Sequence, residues 1–387
     1  MPDVVVVGGG IIGAACADEL TRRGASVILI ERDELAAGAS GRNQGLWVPP
    51  EDPALQLMAA RSLLRYLRVP EEAPLPVWID PRPIGTVYVA VDDDALPATK
   101  GMIDRLSGTE PHIEQLDADA LRELEPEIAP DVAGAWLVDA GHRLDPAALT
   151  VGLALLAASR GATIRHHLSV RALRTSGDRI TGVITDEGAI DADEVVVAAG
   201  PWSPRLLDPI GIRLPVTGVR GWLVRVEPSD PLVRHLIRTV ERSPDRVERP
   251  TAGEVARGGL PMSDDYGSVV HPHVDGTALV GSSRAAWLTP EPEDPEVPRR
   301  ILTEAIRVIP RLAEATVISS WWGLRPMTPD DRPLIGRVRD GLVVATGHGS
   351  EGVINGAGTA ELVAATVLGH EPPFGPIPFN PFRFEAD

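Results

Sequence analysis

An α/β fold is predicted for this chain, with a Rossmann-like nucleotide-binding domain and an interleaved α+β domain built on an antiparallel sheet. Three observations carry it. The chain opens with VVVVGGGIIGAACADELTRRGASVILIE, a strand, a glycine turn, a helix and a second strand ending in an acid. Strand-and-helix patterning returns over residues 145–202 and 342–368. Between these blocks, apolar and polar residues alternate in short runs, the pattern of antiparallel strands with one face buried.

In the opening, the run Val4 to Val7 reads as a strand buried on both faces. Gly8 permits the tight turn, Gly10 lets backbone approach a pyrophosphate, and Gly13 lets helix and strand pack closely. The helix N-terminus, at Ile11 and Ile12, then faces the phosphates. Glu31, at the end of strand Val27 to Ile30, is placed to hold a ribose hydroxyl. Its charge would repel a 2′-phosphate, so FAD or NAD fits better than NADP. A turn that binds nothing does not account for three glycines together with the placed acid.

The 387 residues are enough for two domains. Asp plus Glu number 55 against 37 Lys plus Arg, and a formal charge of -18 opposes binding to nucleic acid or an anionic membrane surface. The single cysteine, Cys16, excludes an internal disulfide and a cysteine-based metal cluster, and no metal site is predicted. The first strand begins at residue 4 and no apolar run is long enough to span a bilayer, so a cytoplasmic protein is expected, with no signal peptide and no integral membrane segment. Lys100 is the only lysine.

After Glu31 the loop LAAGASGRNQGLWVPP carries the polar run Ser40, Arg42, Asn43 and Gln44. Its small residues let backbone amides approach a ligand, and Arg42 can offset phosphate charge. Leu55 to Leu67 follow helical spacing. Prolines punctuate residues 70–83, and TVYVAV at Thr86 to Val91 predicts an antiparallel strand of a different domain. Residues 92–130 read as helical and acidic, with no chemistry assigned.

Asp145 and Pro146 open a helix through Ser159. Strands are predicted at Thr163 to Ile164 and Ser169 to Leu173, then a hairpin at Gly177 and Asp178, then a strand Glu194 to Ala198 leading to Gly200 and Trp202. From Val216 to Ser282 strands alternate with turns, at 221–226, 267–272 and 277–281. Residues 240–265 form a long aperiodic stretch, read either as a lid or as a surface excursion. The last block predicts a strand Leu342 to Thr346 and a helix Ser350 to Leu368. Its glycines 352, 356 and 358 would cost about 1 kcal/mol each in an exposed helix, and make sense where something packs on them.

With the opening fingerprint, ASGRNQG, VVVAAGPW, WWGLRP and GHGSEGV in view, the chain resembles the flavin-dependent family of D-amino-acid oxidase, glycine oxidase and monomeric sarcosine oxidase. The likeness covers nearly its full length. It implies FAD, with residues 1–75, 140–215 and 322–387 as the FAD-binding domain and 76–139 and 216–321 as the substrate domain. Carried over by position, Gly8, Gly10, Ile11, Ile12, Gly13, Glu31 and Arg32 would lie along the ADP half. Ser40, Gly41, Arg42 and Asn43 would sit at the pyrophosphate, with Gln44, Gly45 and Leu46 beside the flavin ring. Val170 would meet the adenine through its backbone, and Ala199, Gly200 and Trp202 would line another side. Gly349, Ser350, Glu351, Gly352, Val353 and Ile354 would meet the pyrimidine end, where a helix N-terminus stabilises negative charge as the ring accepts a hydride.

The resemblance also makes Arg325 the residue that binds a substrate carboxylate through two parallel hydrogen bonds. The alternative is a structural arginine paired with Asp330 or Asp331. A tyrosine that assists this arginine in glycine oxidase is replaced by Val269. His271 shares that strand face, as a substitute polar contact, a proton acceptor, or simply a core or surface histidine. Sarcosine oxidase uses a lysine near the flavin for oxygen; here an arginine, His348 or His271 would have to supply charge. With no attachment residue in place, noncovalent FAD is expected.

The expected function is oxidation of a C–N bond in a small amino acid or secondary amine to an imine, with oxygen or a quinone as acceptor and the oligomeric state left open. The alternatives are an FAD-dependent 2-hydroxy-acid dehydrogenase and a flavin-binding subunit of a larger complex.

Overall fold

The computed structural model describes residues 3–106, 111–239, 266–283, 285–286 and 295–384. The stretch 240–265, read above as a lid or a surface excursion, lies outside them.

A six-stranded sheet has Val4–Val7 near its centre. Val27–Ile30 and then Thr163–Arg165 lie on one side, while Glu194–Val197, Leu342–Thr346 and Leu334–Arg339 lie on the other. All neighbours are parallel except the edge strand Leu334–Arg339. The chain thus leaves its first strand to one side and later returns to the other. That reversal opens a crevice at the carboxyl ends of the two central strands, where doubly wound sheets bind ligands.

The valine runs are buried because both faces of this sheet are covered. Helices Ile11–Arg22, Pro146–Ser159 and Gly352–Leu368 pack on one face around Val4, Val6, Val196 and Val343. A meander of Val170–Ser176, Arg179–Thr185 and Gly188–Asp191 covers the other around Val5, Val195 and Val344. Asp145 caps its helix by accepting from the Ala148 N–H at 2.9 Å, with Pro146 in the first turn. The last helix begins at Gly352, two residues later than expected. Two of its three glycines, Gly356 and Gly358, receive a close neighbour, while Gly352 has only ordinary contact with His348. A Cβ at Gly356 would come 2.6 Å from the Tyr66 hydroxyl, and one at Gly358 would overlap the Met58 carbonyl of helix Pro53–Tyr66.

The larger sheet runs from Thr316–Met327 through Thr217–Glu227, then Ala278–Ser283 with Ala285–Ala286, Tyr266–Pro272, Leu236–Thr239, Thr86–Ala90 and Gly134–Val138 to Ile113–Leu116. The expected antiparallel pattern holds except at one place, where Leu236–Thr239 lies parallel to Thr86–Ala90. Parallel neighbours need a long crossover. The chain supplies one, since the strands and helices of residues 142–197 intervene. Within 92–130 the acidic composition concealed an edge strand, Ile113–Leu116, whose Glu114 and Gln115 are exposed. Strand Thr316–Met327 runs past position 322 and stays in this sheet to Met327.

The two faces of this sheet differ. Val87, Trp222, Val224, Ile237, Val270 and Val280 pack against helix Glu296–Val308. The opposite face carries the cross-strand row Arg238, Val269, Gly281, Leu223 and Trp321. Of these, Arg238, Val269 and Leu223 line a cleft shared with the parallel sheet. Among the described residues, no helix is long and apolar enough to cross a membrane.

Candidate active site

The cleft encloses about 2000 Å³, well beyond the roughly 300–1,000 Å³ that holds one drug-sized ligand. Its length joins the crevice of the parallel sheet to the polar face of the larger one.

At the first end, the turn after Val7 depends on backbone proximity. Gly8 adopts φ +113°, and a Cβ there would lie 2.5 Å from the Ala198 carbonyl. A Cβ at Gly13 would overlap the Gly8 carbonyl, so this glycine serves helix–strand packing and does not line the cleft. Gly10, Ile11 and Ile12 do line it. The first N–H groups of an α-helix have no partner within the helix; Ser40 Oγ accepts one of them, from Ile11, at 2.8 Å. Glu31 lines the cleft with its carboxylate bridging the Gly9 N–H at 2.6 Å and the Asp33 N–H at 2.9 Å. Each carboxylate oxygen keeps acceptor capacity for a hydroxyl. Arg32 stacks over the Trp202 ring, 4.0 Å from its centroid, at the rim that Val170, Ala199 and Gly200 also border.

The loop from Gly38 to Leu46 joins the two sheets. Asn43 donates to the carbonyls of Ala39 and Ser40 at 3.0 and 2.8 Å and accepts from the Gly45 N–H at 2.8 Å. Its amide therefore holds the loop's shape, and the residue borders the cleft. Arg42 donates to the carbonyls of Ala37 and Trp322 at 2.9 and 3.3 Å, pinning the loop to strand Thr316–Met327. Gly41 and Gly45 lie behind the lining, where a Cβ would press on the carbonyls of Ala36 and Leu144. Gln44 and Leu46 line the cleft, and Gln44 Nε2 donates to the Val269 carbonyl at 3.3 Å.

His271 is not in the cleft. It shares the face of Val269, but the Gln44 backbone covers it, with Nε2 2.8 Å from the Gln44 carbonyl. Burial pushes its pKa down to about 4, so the ring is neutral at physiological pH. Of the readings open for it, that of a core histidine fits: it is buried, outside the cleft lining, and meets the Gln44 backbone. His348 does border the cleft, yet only 2% of it is exposed, and its Nε2 meets Thr359 Oγ1 at 2.9 Å. Burial lowers its pKa to about 3. The ring is therefore a neutral hydrogen-bonding group at the cleft edge.

Arg325 lies in the cleft wall. Nη1 donates to the Ser283 carbonyl at 3.0 Å and Nη2 to Ser282 Oγ at 3.1 Å. The guanidinium passes over Gly221, where any Cβ would overlap Nη1. Asp330 pairs with Arg383 at 2.7 Å. Gly323 admits the Arg42 Cβ, and Gly281 leaves room for the Gln44 amide. Of these glycines, Gly221 and Gly323 line the cleft, and their role went unnoticed in the sequence because they sit in strands, where only register shows which side they face.

Beyond Arg325 the cleft holds Arg238, with Nη2 3.8 Å from Glu51 Oε1, while Glu51 Oε2 pairs with Arg105 at 2.6 Å. Arg238 also escaped the sequence reading; its one signal was alternation with Ile237. The segment Gly349 to Ile354 closes this side, with helix Gly352–Leu368 starting at the cleft. Its N-cap residue Glu351 accepts from Asn355 Nδ2 at 3.3 Å. Burial raises the Glu351 carboxyl to about 7.

A glycine turn with space for a pyrophosphate, a ribose-side carboxylate, a helix N-terminus at each end and a cleft of this size fit a flavin dinucleotide with a small substrate beside it.

Comparison with known proteins agrees. The model of the DAO family, FAD dependent oxidoreductase, matches residues 3–366. Glycine oxidase of Pseudomonas putida is 26% identical, over 98% of this chain and 98% of that one. D-amino acid dehydrogenase of Cereibacter sphaeroides is 30% identical, over 95% and 92% of the two chains. The crystal structure of glycine oxidase from Geobacillus kaustophilus superimposes with a TM-score of 0.84 at 26% identity, covering 99% and 98%. A glycine turn, a two-sheet cleft and a full-length match thus converge: the chain belongs to the FAD-dependent oxidoreductases of the D-amino-acid oxidase family.

Proposed function

We propose that this protein oxidises the C–N bond of a small amino acid or secondary amine, with Arg325 as the residue that fixes the substrate carboxylate. Bound in this cleft, FAD would supply the two-electron acceptor for the substrate's hydride. The substrate carbon gives up its hydride, the nitrogen loses a proton, and the resulting imine is hydrolysed by water. The reading of a carbon–nitrogen bond over a 2-hydroxy acid rests on relatives named for amino-acid chemistry.

The observation that carries the role of Arg325 is its anchoring: the Ser282 and Ser283 contacts and the bare surface of Gly221 fix the plane of a fork donor inside the cleft. A fixed fork orients a carboxylate bidentately and so aligns the carbon bearing the departing hydride. Glu31, the helix start at Gly10 to Ile12 and the rim stack of Arg32 on Trp202 hold the ADP half. Gly349 to Ile354 hold the pyrimidine end, and the helix starting there favours negative charge. The cofactor is held without a covalent bond. In this division of labour residues 1–75 and 140–215 and the chain after Met327 carry the cofactor, and the larger sheet carries the substrate.

The test is product analysis with a dye acceptor. Amino acids should yield the matching oxo acid with release of ammonia or amine, and acid precipitation should free all the yellow cofactor. Turnover of 2-hydroxy acids alone would overturn the C–N reading, and flavin pelleting with the chain would overturn noncovalent binding.

A further inference from the structure

We propose that Glu34, His166 and His167 form a surface site for a divalent transition metal of the imidazole-preferring kind, such as zinc or cobalt. No metal site was expected from the sequence, and the adjacency of two histidines says little by itself, because neighbouring side chains in extended backbone point to opposite sides. The fold removes that objection. Just beyond strand Thr163–Arg165, His167 takes φ +56°, in the left-handed region that is uncommon for a residue other than glycine. The two imidazoles then lie on one side with ring centroids 4.7 Å apart.

Glu34 reaches them from the loop after Val27–Ile30. Its Oε1 is 2.8 Å from His167 Nε2 and its Oε2 is 3.4 Å from His166 Nδ1. One ligand atom from each of the three residues lies within 4.8 Å of the others. A tetrahedral ion with bonds of about 2.0–2.2 Å separates its ligands by about 3.4 Å, so small side-chain rotations complete the geometry. The backbones beneath are already joined, since His167 N–H donates to the Asp33 carbonyl at 3.2 Å and Leu168 N–H to the Glu31 carbonyl at 2.9 Å. Little ordering is left for the metal to impose.

Two imidazoles and one carboxylate suit zinc, nickel or cobalt, whereas magnesium and calcium prefer all-oxygen shells. The side chains of His166, His167 and Glu34 are 49%, 60% and 68% exposed, so the remaining coordination positions face water. An ion here would clip the segment carrying Glu31 to Asp33 to the one carrying Leu168 to Val170. Both border the cleft at its first end, and the ion itself would sit outside.

The experiment uses tag-free, FAD-loaded protein stripped with a chelator and titrated calorimetrically with zinc chloride, then magnesium chloride. One zinc per chain at micromolar affinity is expected, with no heat from magnesium. Glu34→Gln and His167→Asn should each weaken zinc at least tenfold; asparagine tolerates the left-handed backbone, so the second variant removes the ligand without adding strain. Cobalt should give visible ligand-field bands in the parent that both variants lose. Absence of saturable binding at millimolar zinc, or variants that bind as tightly as the parent, would overturn the site.

Discussion

Replacing Arg325 by lysine separates a carboxylate-binding role from a structural one. Arginine has five N–H donors in a rigid fork, and those to the Ser283 carbonyl and Ser282 Oγ fix its plane. An ammonium has three donors at one point and cannot reproduce a planar two-bond contact. The variant should therefore lose one charge-assisted hydrogen bond, about 1.5–3 kcal/mol, which is a roughly 10- to 150-fold fall in kcat/KM. The fall should be confined to substrates with a carboxylate. An amino acid and its own amide make the comparison, with dye reduction as the assay and melting temperature and flavin content as controls. For the amide the change should stay within about threefold, because no charged partner is lost. Equal losses for both would show that Arg325 acts through its anchors on residues 282 and 283, and the proposed role would fail.

The same geometry makes Gly221→Ala informative, since its Cβ would overlap Arg325 Nη1; KM for amino acids should rise at least about tenfold while the fold survives, and an unchanged KM would contradict the floor role. Glu351→Gln should change how stability depends on pH. In the folded protein burial raises this carboxyl from 4.5 to about 7, so the folded chain keeps a proton that the unfolded chain releases, and stability falls as pH rises across that window. The variant should match the parent at low pH and exceed it by about 3 kcal/mol near pH 8, read from denaturant midpoints; a pH-independent difference would refute this. Reoxidation by oxygen should be slow, because His271 and His348 are neutral, Lys100 is exposed on helix Leu96–Leu106 outside the cleft lining, and of the cleft arginines Arg238 faces Glu51 while Arg325 is assigned to the substrate carboxylate. Stopped-flow mixing of reduced enzyme with oxygenated buffer at a rate equal to turnover would show a true oxidase instead.

The parallel sheet was legible because its signals are local. Valine runs, a glycine turn and an acid at a strand end sit within one stretch of 28 residues, and each has a backbone reason that holds wherever the chain goes. The larger sheet was legible only as a set of strands. Its parallel pair, Leu236–Thr239 beside Thr86–Ala90, depends on pairing between distant segments, to which composition is blind. The site divides in the same way. Gly8, Gly10 and Glu31 stand where the fingerprint put them, but His271 turned inward because the Gln44 loop covers it, a contact between residues more than two hundred positions apart. Alternation put His271 on the correct face; it could not say what lies on top. Arg238, Gly221, Gly281 and Gly323 owe their place to register alone.

Anaerobic titration of the FAD-loaded protein with amino acids, amines and 2-hydroxy acids tests the central claim most directly. Loss of the oxidised flavin absorption should occur with a small amino acid or secondary amine, and the Arg325→Lys protein should need far more of a carboxylate substrate to reach the same rate. Bleaching by 2-hydroxy acids with none by any amine or amino acid would contradict the account.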